Sequence, residues 1–129
     1  SMLTHYPNLL WISLAYTNIT DQTIALICSS LIQLKHLNIQ GCYGVTNASG
    51  GYLRQTSLLR LDVSNCPLLG QDFFVQVFGN NREPLCQSLE LLSCSFLPEF
   101  TIRELRLVAT CPKLLALECR SRHQRQNLI

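Results

Sequence analysis

The sequence predicts an α/β fold, a solenoid of about five parallel strands with helices on its convex side. Three observations predict it. A short apolar pattern recurs five times, with starts 24 to 28 residues apart. The stretches between copies place apolar residues at helical spacing. The composition, 47% hydrophobic and 14% charged over 129 residues, suits a chain with a continuous core and excludes a disordered charged segment.

The copies read Leu9-x-x-Ile12-x-Leu14-x-x-Thr17, Leu34-x-x-Leu37-x-Ile39-x-x-Cys42, Leu58-x-x-Leu61-x-Val63-x-x-Cys66 and Cys86-x-x-Leu89-x-Leu91-x-x-Cys94. A partial fifth reads Leu114-x-x-Leu117-x-Cys119. Two apolar residues one position apart face the same side of a strand, because strand side chains alternate. Strands this short cannot stand alone, so successive copies stack in parallel. This places strands near residues 11–14, 36–39, 60–63, 88–91 and 116–118. The last position of each copy sits where the chain turns out of the sheet. There Thr17, Cys42, Cys66 and Cys94 are expected as small donors to turn backbone groups. A period and pattern of this kind are those of a leucine-rich repeat.

Helical stretches follow the strands. Thr20 or Asp21 is the expected N-cap of the first, with Ile24, Ile27 and Leu31 facing inward. The second starts at Val45-Thr46-Asn47, and Ser49-Gly50-Gly51 predicts a short or irregular helix. The third starts at Leu69-Gly70-Gln71-Asp72, with Phe74 and Val77 inward. The fourth starts at Leu97-Pro98-Glu99, with Ile102, Leu105 and Ala109 inward and Glu99 and Arg103 paired outside. Residues 79–86 read as a loop that lengthens the third copy into a rim insertion.

Cys111-Pro112-Lys113-Leu114, Leu37-x-Ile39-x-Gly41-Cys42-x-x-Val45-Thr46-Asn47 and Ile19-Thr20-Asp21-x-x-Ile24 resemble the cysteine-containing leucine-rich repeats. These occur in F-box/leucine-rich-repeat proteins and in AMN1-type proteins. The resemblance runs from about Leu3 to Cys119. It implies a protein–protein interaction module, the substrate-recognition region of an F-box subunit of a Skp1–cullin ubiquitin ligase. A Skp1-type adaptor would be reached only through sequence outside this chain, since no F-box occurs in it. The resemblance also leaves open a scaffold protein without a ligase. In the expected organisation, residues 1–2 are an expression scar and 3–119 are an array cut from a longer one. Residues 120–129 are a basic tail, either a cap or disordered, with Arg122 in the slot where a copy should carry Cys, Asn or Thr.

The outward strand positions define the candidate recognition surface on the concave face. They form three expected columns across the sheet. The first is Trp11, His36, Arg60, Ser88 and Ala116. The second is Ser13, Asn38, Asp62, Glu90 and Glu118. The third is Ala15, Gln40, Ser64, Leu92 and Arg120. Neighbours in a column are about 4.8 Å apart. The candidate partner-binding residues are Trp11, Tyr16, His36, Asn38, Arg60, Asp62, Glu90 and Glu118. Asp62, Glu90 and Glu118 form an acidic run, read either as a solvated face or as a groove for a basic peptide. Trp11, with Tyr16 beyond its strand, is read either as an interface anchor or as a ring beneath a further copy.

Other classes fare worse. Ten Lys and Arg against eight Asp and Glu give +2, and the stretch from Arg120 on holds three of the basic residues and no acid. The body is near neutral, so neither a nucleic acid nor a membrane surface is an expected partner. No run of about 18 apolar residues occurs. No Cys-x-x-Cys pair or phosphate-cradling glycine loop occurs, so no metal or cofactor is expected. His36 could meet Asn38 and Asp62, but Cys42 should face the core, so no catalytic residues are assigned. Asn18-Ile19-Thr20 and Asn47-Ala48-Ser49 match the glycosylation pattern and keep an extracellular recognition domain as a rival. Seven cysteines, an odd number at buried slots, favour a reducing compartment, so the expected location is intracellular, cytoplasmic or nuclear.

Overall fold

Each strand is three residues long, centred on the inward residue three positions after the leucine that opens its copy. A computed structural model describes residues 5–121. In chain order it contains β1 (Trp11–Ser13), α1 (Asp21–Ser30), β2 (His36–Asn38), a 3-10 turn (Asn47–Ser49) running into α2 (Gly50–Leu53), and β3 (Arg60–Asp62). Then come α3 (Gln71–Phe78), α4 (Pro84–Ser88), β4 (Leu91–Ser93), α5 (Ile102–Val108) and β5 (Ala116–Glu118). The strands form one parallel sheet in sequence order. The tail residues from Arg122 on, and Ser1 and Met2, lie outside the described residues. Among the described residues no helix is long and apolar enough to cross a membrane.

The register corrects the fourth copy. Arg60 pairs with Leu91, Leu61 with Leu92 and Asp62 with Ser93. The strand therefore sits three residues later than 88–91, and the frame is Leu89-x-x-Leu92-x-Cys94-x-x-Leu97. Starts at 9, 34, 58, 89 and 114 put the added length in the third unit alone. Most of that addition is ordered: α4 has Leu85 and Cys86 fully buried, and Leu85 N–H donates to the Arg54 carbonyl at 3.1 Å. Its tip, Gly79 to Arg82, is exposed throughout.

Helices and sheet share one core. Leu37, Leu61 and Leu92 from the strands meet Ile24 and Ile27 of α1 and Phe73, Phe74, Val77 and Phe78 of α3. Leu31 is also buried, and the second helix is short, as the sequence predicts. The fourth predicted helix differs. Its N-cap is Thr101, not a residue near Leu97, because Glu104 Oε1 accepts from the Thr101 N–H at 2.9 Å and from its hydroxyl at 2.8 Å. The later start rotates the inward face. Glu104 and Val108 are buried, while Ile102, Leu105 and Ala109 are exposed. Glu99 precedes the helix, so it and Arg103 are not an i,i+4 pair.

Successive units are tied where the chain leaves the sheet. Tyr16, Gly41, Asn65 and Phe96 occupy equivalent positions there, and all have φ between 55° and 70°. The next residue is the donor slot. Thr17 Oγ1 donates to the Leu14 carbonyl at 2.7 Å; Cys42 Sγ donates to the same carbonyl at 3.1 Å, and Cys66 Sγ to the Ile39 carbonyl at 3.2 Å. Cys94 is not in this slot. It takes the core position of Ile39 and Val63, and Leu97 fills the fourth slot. Burial pushes the Cys66 thiol up to about 11.

The helix starts are tied as well. Asp21 is the first residue of α1, and it caps the next unit rather than its own. It accepts from the Thr46 N–H at 2.9 Å, the Thr46 hydroxyl at 2.6 Å and the Ser49 hydroxyl at 2.5 Å. Asn47 Oδ1 repeats the move one unit on, accepting from the Gly70 N–H at 2.9 Å. The tripeptide Asn47-Ala48-Ser49 thus has a structural role, with Ser49 fully buried. Burial alone would raise the Asp21 pKa, but the three hydrogen bonds outweigh it and hold the carboxyl below its ordinary range.

Two predictions follow from these ties. A lowered folded pKa means stability that is present above the unfolded carboxylate pKa of about 4 and lost as the pH falls through the lowered value. Asp21→Asn should cost about 1–2 kcal/mol at pH 7, and its deficit against wild type should shrink in urea unfolding as acid protonates the Asp21 carboxyl. At Cys66, Ser keeps a donor and should cost less than about 1 kcal/mol. Leu should cost about 1–3 kcal/mol by overpacking a sealed slot. In the native protein Cys66 should resist alkylation until unfolding.

Candidate functional site

The sheet has one face on the core and one open. Alternation along three-residue strands sends the middle residue inward and the outer two to the open face. Pairing aligns Trp11, His36, Arg60, Leu91 and Ala116 in one column, and Ser13, Asn38, Asp62, Ser93 and Glu118 in the next. Trp11 is 58% exposed. A hollow of about 160 Å³ lies where the two columns meet, lined by Trp11, His36, Asn38, Arg60, Asp62, Leu91 and Ser93 among others. An aromatic ring, an imidazole, a guanidinium and a carboxylate thus border one depression. Such a mixture suits a segment of protein chain carrying both apolar and charged groups.

Five of the eight predicted residues, Trp11, His36, Asn38, Arg60 and Asp62, line this hollow together. The other three do not. Glu90 leaves the acidic run: it precedes β4, at the position equivalent to Lys35 and Leu59, and its carbonyl accepts from the Leu115 and Ala116 N–H groups. Ser93 stands between Asp62 and Glu118, so the acidic ladder is broken and a groove for a basic peptide loses its basis. Glu118 is exposed on the edge strand β5. Tyr16 lies on the turn out of β1, 63% exposed, with its hydroxyl accepting from Gln40 Nε2 at 3.1 Å.

Leu91 and Ser93 are the residues the sequence reading missed, in place of Ser88 and Glu90. A signal for them exists. Ser64 and Pro67 are three apart, as are Ser95 and Pro98, and that match sets the fourth copy in its observed frame. The third column is also corrected: Ser95 takes the position assigned to Leu92, which is buried. Ser64 and Ser95 are buried too, with Ser64 Oγ accepting from the Ser95 N–H and Ser95 Oγ from the Arg120 N–H, both at 2.9 Å. These serines join strands and are sealed from a partner. Among the described residues no group of three or more His, Cys, Asp or Glu could hold a metal ion.

Asn38 and Asp62 have a second commitment. Asn38 Oδ1 accepts from the Gln40 N–H and Asp62 Oδ1 from the Ser64 N–H, each at 2.9 Å. Asp62→Asn should therefore keep the turn and change stability by less than about 0.5 kcal/mol, whereas Asp62→Lys loses the acceptor and should cost about 1 kcal/mol. Trp11→Ala, on an exposed position, should stay within about 0.5 kcal/mol of wild type. Thermal and urea unfolding of the three variants checks this order.

Among known proteins, no family model matches the chain and no curated sequence matches it.

Proposed function

We propose that the chain is a leucine-rich-repeat array that recognises a protein partner through the open face of its sheet. In this reading it is the substrate-holding region of an F-box/leucine-rich-repeat subunit of a Skp1–cullin ubiquitin ligase. One observation carries the recognition reading: core and surface duties are separated along every strand. Ile12, Leu37, Leu61, Leu92 and Leu117 serve the interior, while their neighbours on both sides face outward. The outward set can change without disturbing the fold, which a recognition surface requires. The donor slots of Thr17, Cys42 and Cys66 and the period of the units support the repeat type. Exposed apolar side chains at the β5 end, Leu115 at 83% and Ile102 at 62%, suit stacking of a further unit. The ligase role rests on the resemblance of the repeats, and the adaptor contact belongs to sequence outside this chain. Seven cysteines, an odd number with five of them buried, accord with an intracellular setting.

The test uses immobilised wild-type chain, Trp11→Ala, Arg60→Glu and the insertion variant Arg82→Ala, with captured proteins quantified by mass spectrometry. The specific partner should fall by about tenfold or more on the two sheet variants and persist on Arg82→Ala. Loss on Arg82→Ala alone would move recognition to the insertion. Inhibiting cullin-based ligases should lengthen the captured protein's half-life in cells; an unchanged half-life would favour a scaffold over a ligase receptor.

A further inference from the structure

The seven cysteines do not share one setting. Cys42 and Cys66 point their sulfurs at backbone carbonyls of the preceding unit. Cys86 and Cys111 point theirs at each other. Cys86 lies on α4 and Cys111 in the turn after α5, 25 residues further on, and their sulfurs are 3.3 Å apart. Thr110 Oγ1 lies 3.7 Å from the Cys86 sulfur. A disulfide needs about 2.05 Å, so the two sulfurs must close by roughly 1.3 Å, within the reach of small side-chain rotations. The register brings the pair together: each stands three residues before the leucine that opens the next copy, where the second unit carries the buried Leu31.

We propose that Cys86 and Cys111 form a reversible intrachain disulfide by exchange with a low-molecular-weight disulfide such as oxidised glutathione. Cys111 reacts first: it is 6% exposed beside exposed Thr110 and Pro112, whereas Cys86 is fully buried. The Cys111 thiol gives its proton to solvent, and its thiolate attacks one sulfur of oxidised glutathione. A protein–glutathione disulfide forms and one glutathione thiolate leaves. Cys86, after losing its own proton, attacks the Cys111 sulfur and expels the second glutathione thiolate. Two cysteine thiols are oxidised by two electrons and one glutathione disulfide is reduced to two glutathiones, which take up the two protons. Burial pushes the Cys111 thiol up to about 12, with Cys86 alongside adding to the rise, so the first attack is slow while α4 stays docked.

The bond would join the insertion helix to the end of α5. In the reduced protein α4 is held by the burial of Leu85 and Cys86, the Leu85–Arg54 backbone hydrogen bond, and Ser88 Oγ donating to the Leu58 carbonyl at 2.7 Å. α4 leads through Leu89 and Glu90 directly into β4, so the staple fixes the amino end of the strand that places Leu91 and Ser93 in the hollow.

The experiment treats the folded chain with oxidised glutathione, quenches it with acid and maps the peptides without reduction. The expected product is a Cys86–Cys111 linked peptide, with Cys28, Cys42, Cys66, Cys94 and Cys119 still free to alkylate after unfolding. The melting temperature should rise by about 5 °C or more and return on reduction. In Cys86→Ala the reaction should stop at a glutathione adduct on Cys111, with no such rise. Cys28→Ser, on a different helix, should form the bond as wild type does. A wild-type chain that stops at the glutathione adduct overturns the proposal. So does one that links a different pair, or stays reduced while its denatured form oxidises.

Discussion

A three-residue strand cannot complete its own hydrogen bonding, and the structure is organised by where the chain must leave it. At the exits of the first four strands one residue enters the left-handed region, and at the first three the next side chain donates to a carbonyl of its own or the preceding unit. This corner recurs at Tyr16-Thr17, Gly41-Cys42, Asn65-Cys66 and Phe96-Leu97. It sets the pairing register, since the Tyr16, Gly41, Asn65 and Phe96 N–H groups each donate to the following strand at the same relative position. Left-handed backbone suits Gly and Asn and costs a bulky L-residue roughly 1–2 kcal/mol. Tyr16 and Phe96 bear that cost.

Because the corners align, the side-chain ties between units run in ladders. The cysteine thiols reach back one unit, Asp21 and Asn47 reach forward to the next helix start, and Ser64 and Ser95 accept from the next strand. Each tie joins nearest neighbours only, so stability in such an arrangement is close to a sum of unit and interface contributions. The ladders occupy the turns and the helix starts. The two outward positions of each strand are the ones left to vary, apart from the turn bonds that Asn38 and Asp62 also make.

The apolar periodicity made most of the fold legible. Leu34, Leu37 and Ile39, and likewise Leu58, Leu61 and Val63, admit one frame, and both strands lie where it puts them. The fourth copy failed because its sequence admits two frames. Cys86-x-x-Leu89-x-Leu91 and Leu89-x-x-Leu92-x-Cys94 are both apolar at the required positions, since cysteine serves as a core residue as readily as leucine. Only the turn chemistry separates them, and Phe96 in the left-handed region is a weak signal for a turn. One slip of three residues moved Glu90 onto the open face and invented the acidic run. The face of α5 has a related ambiguity: Glu104 looks like a surface residue in the sequence, whereas in the fold its Oε1 accepts from the Thr101 N–H and hydroxyl beneath the helix start. The third column is ambiguous in the sequence because a serine is equally plausible in solvent and as a sealed acceptor.

The close approach at Tyr16 and Gly41 couples the substitutions that the two positions accept. A Cβ built on Gly41 would meet the Tyr16 ring, and Gly41 has a φ of +70°. With the tyrosine ring where it stands, a side chain at 41 must displace it, and the left-handed φ adds strain for residues other than glycine and asparagine. With a smaller residue at 16 only that strain is left, and asparagine already bears it at the equivalent Asn65. Substitutions at 16 and 41 are therefore non-additive, although 25 residues separate them.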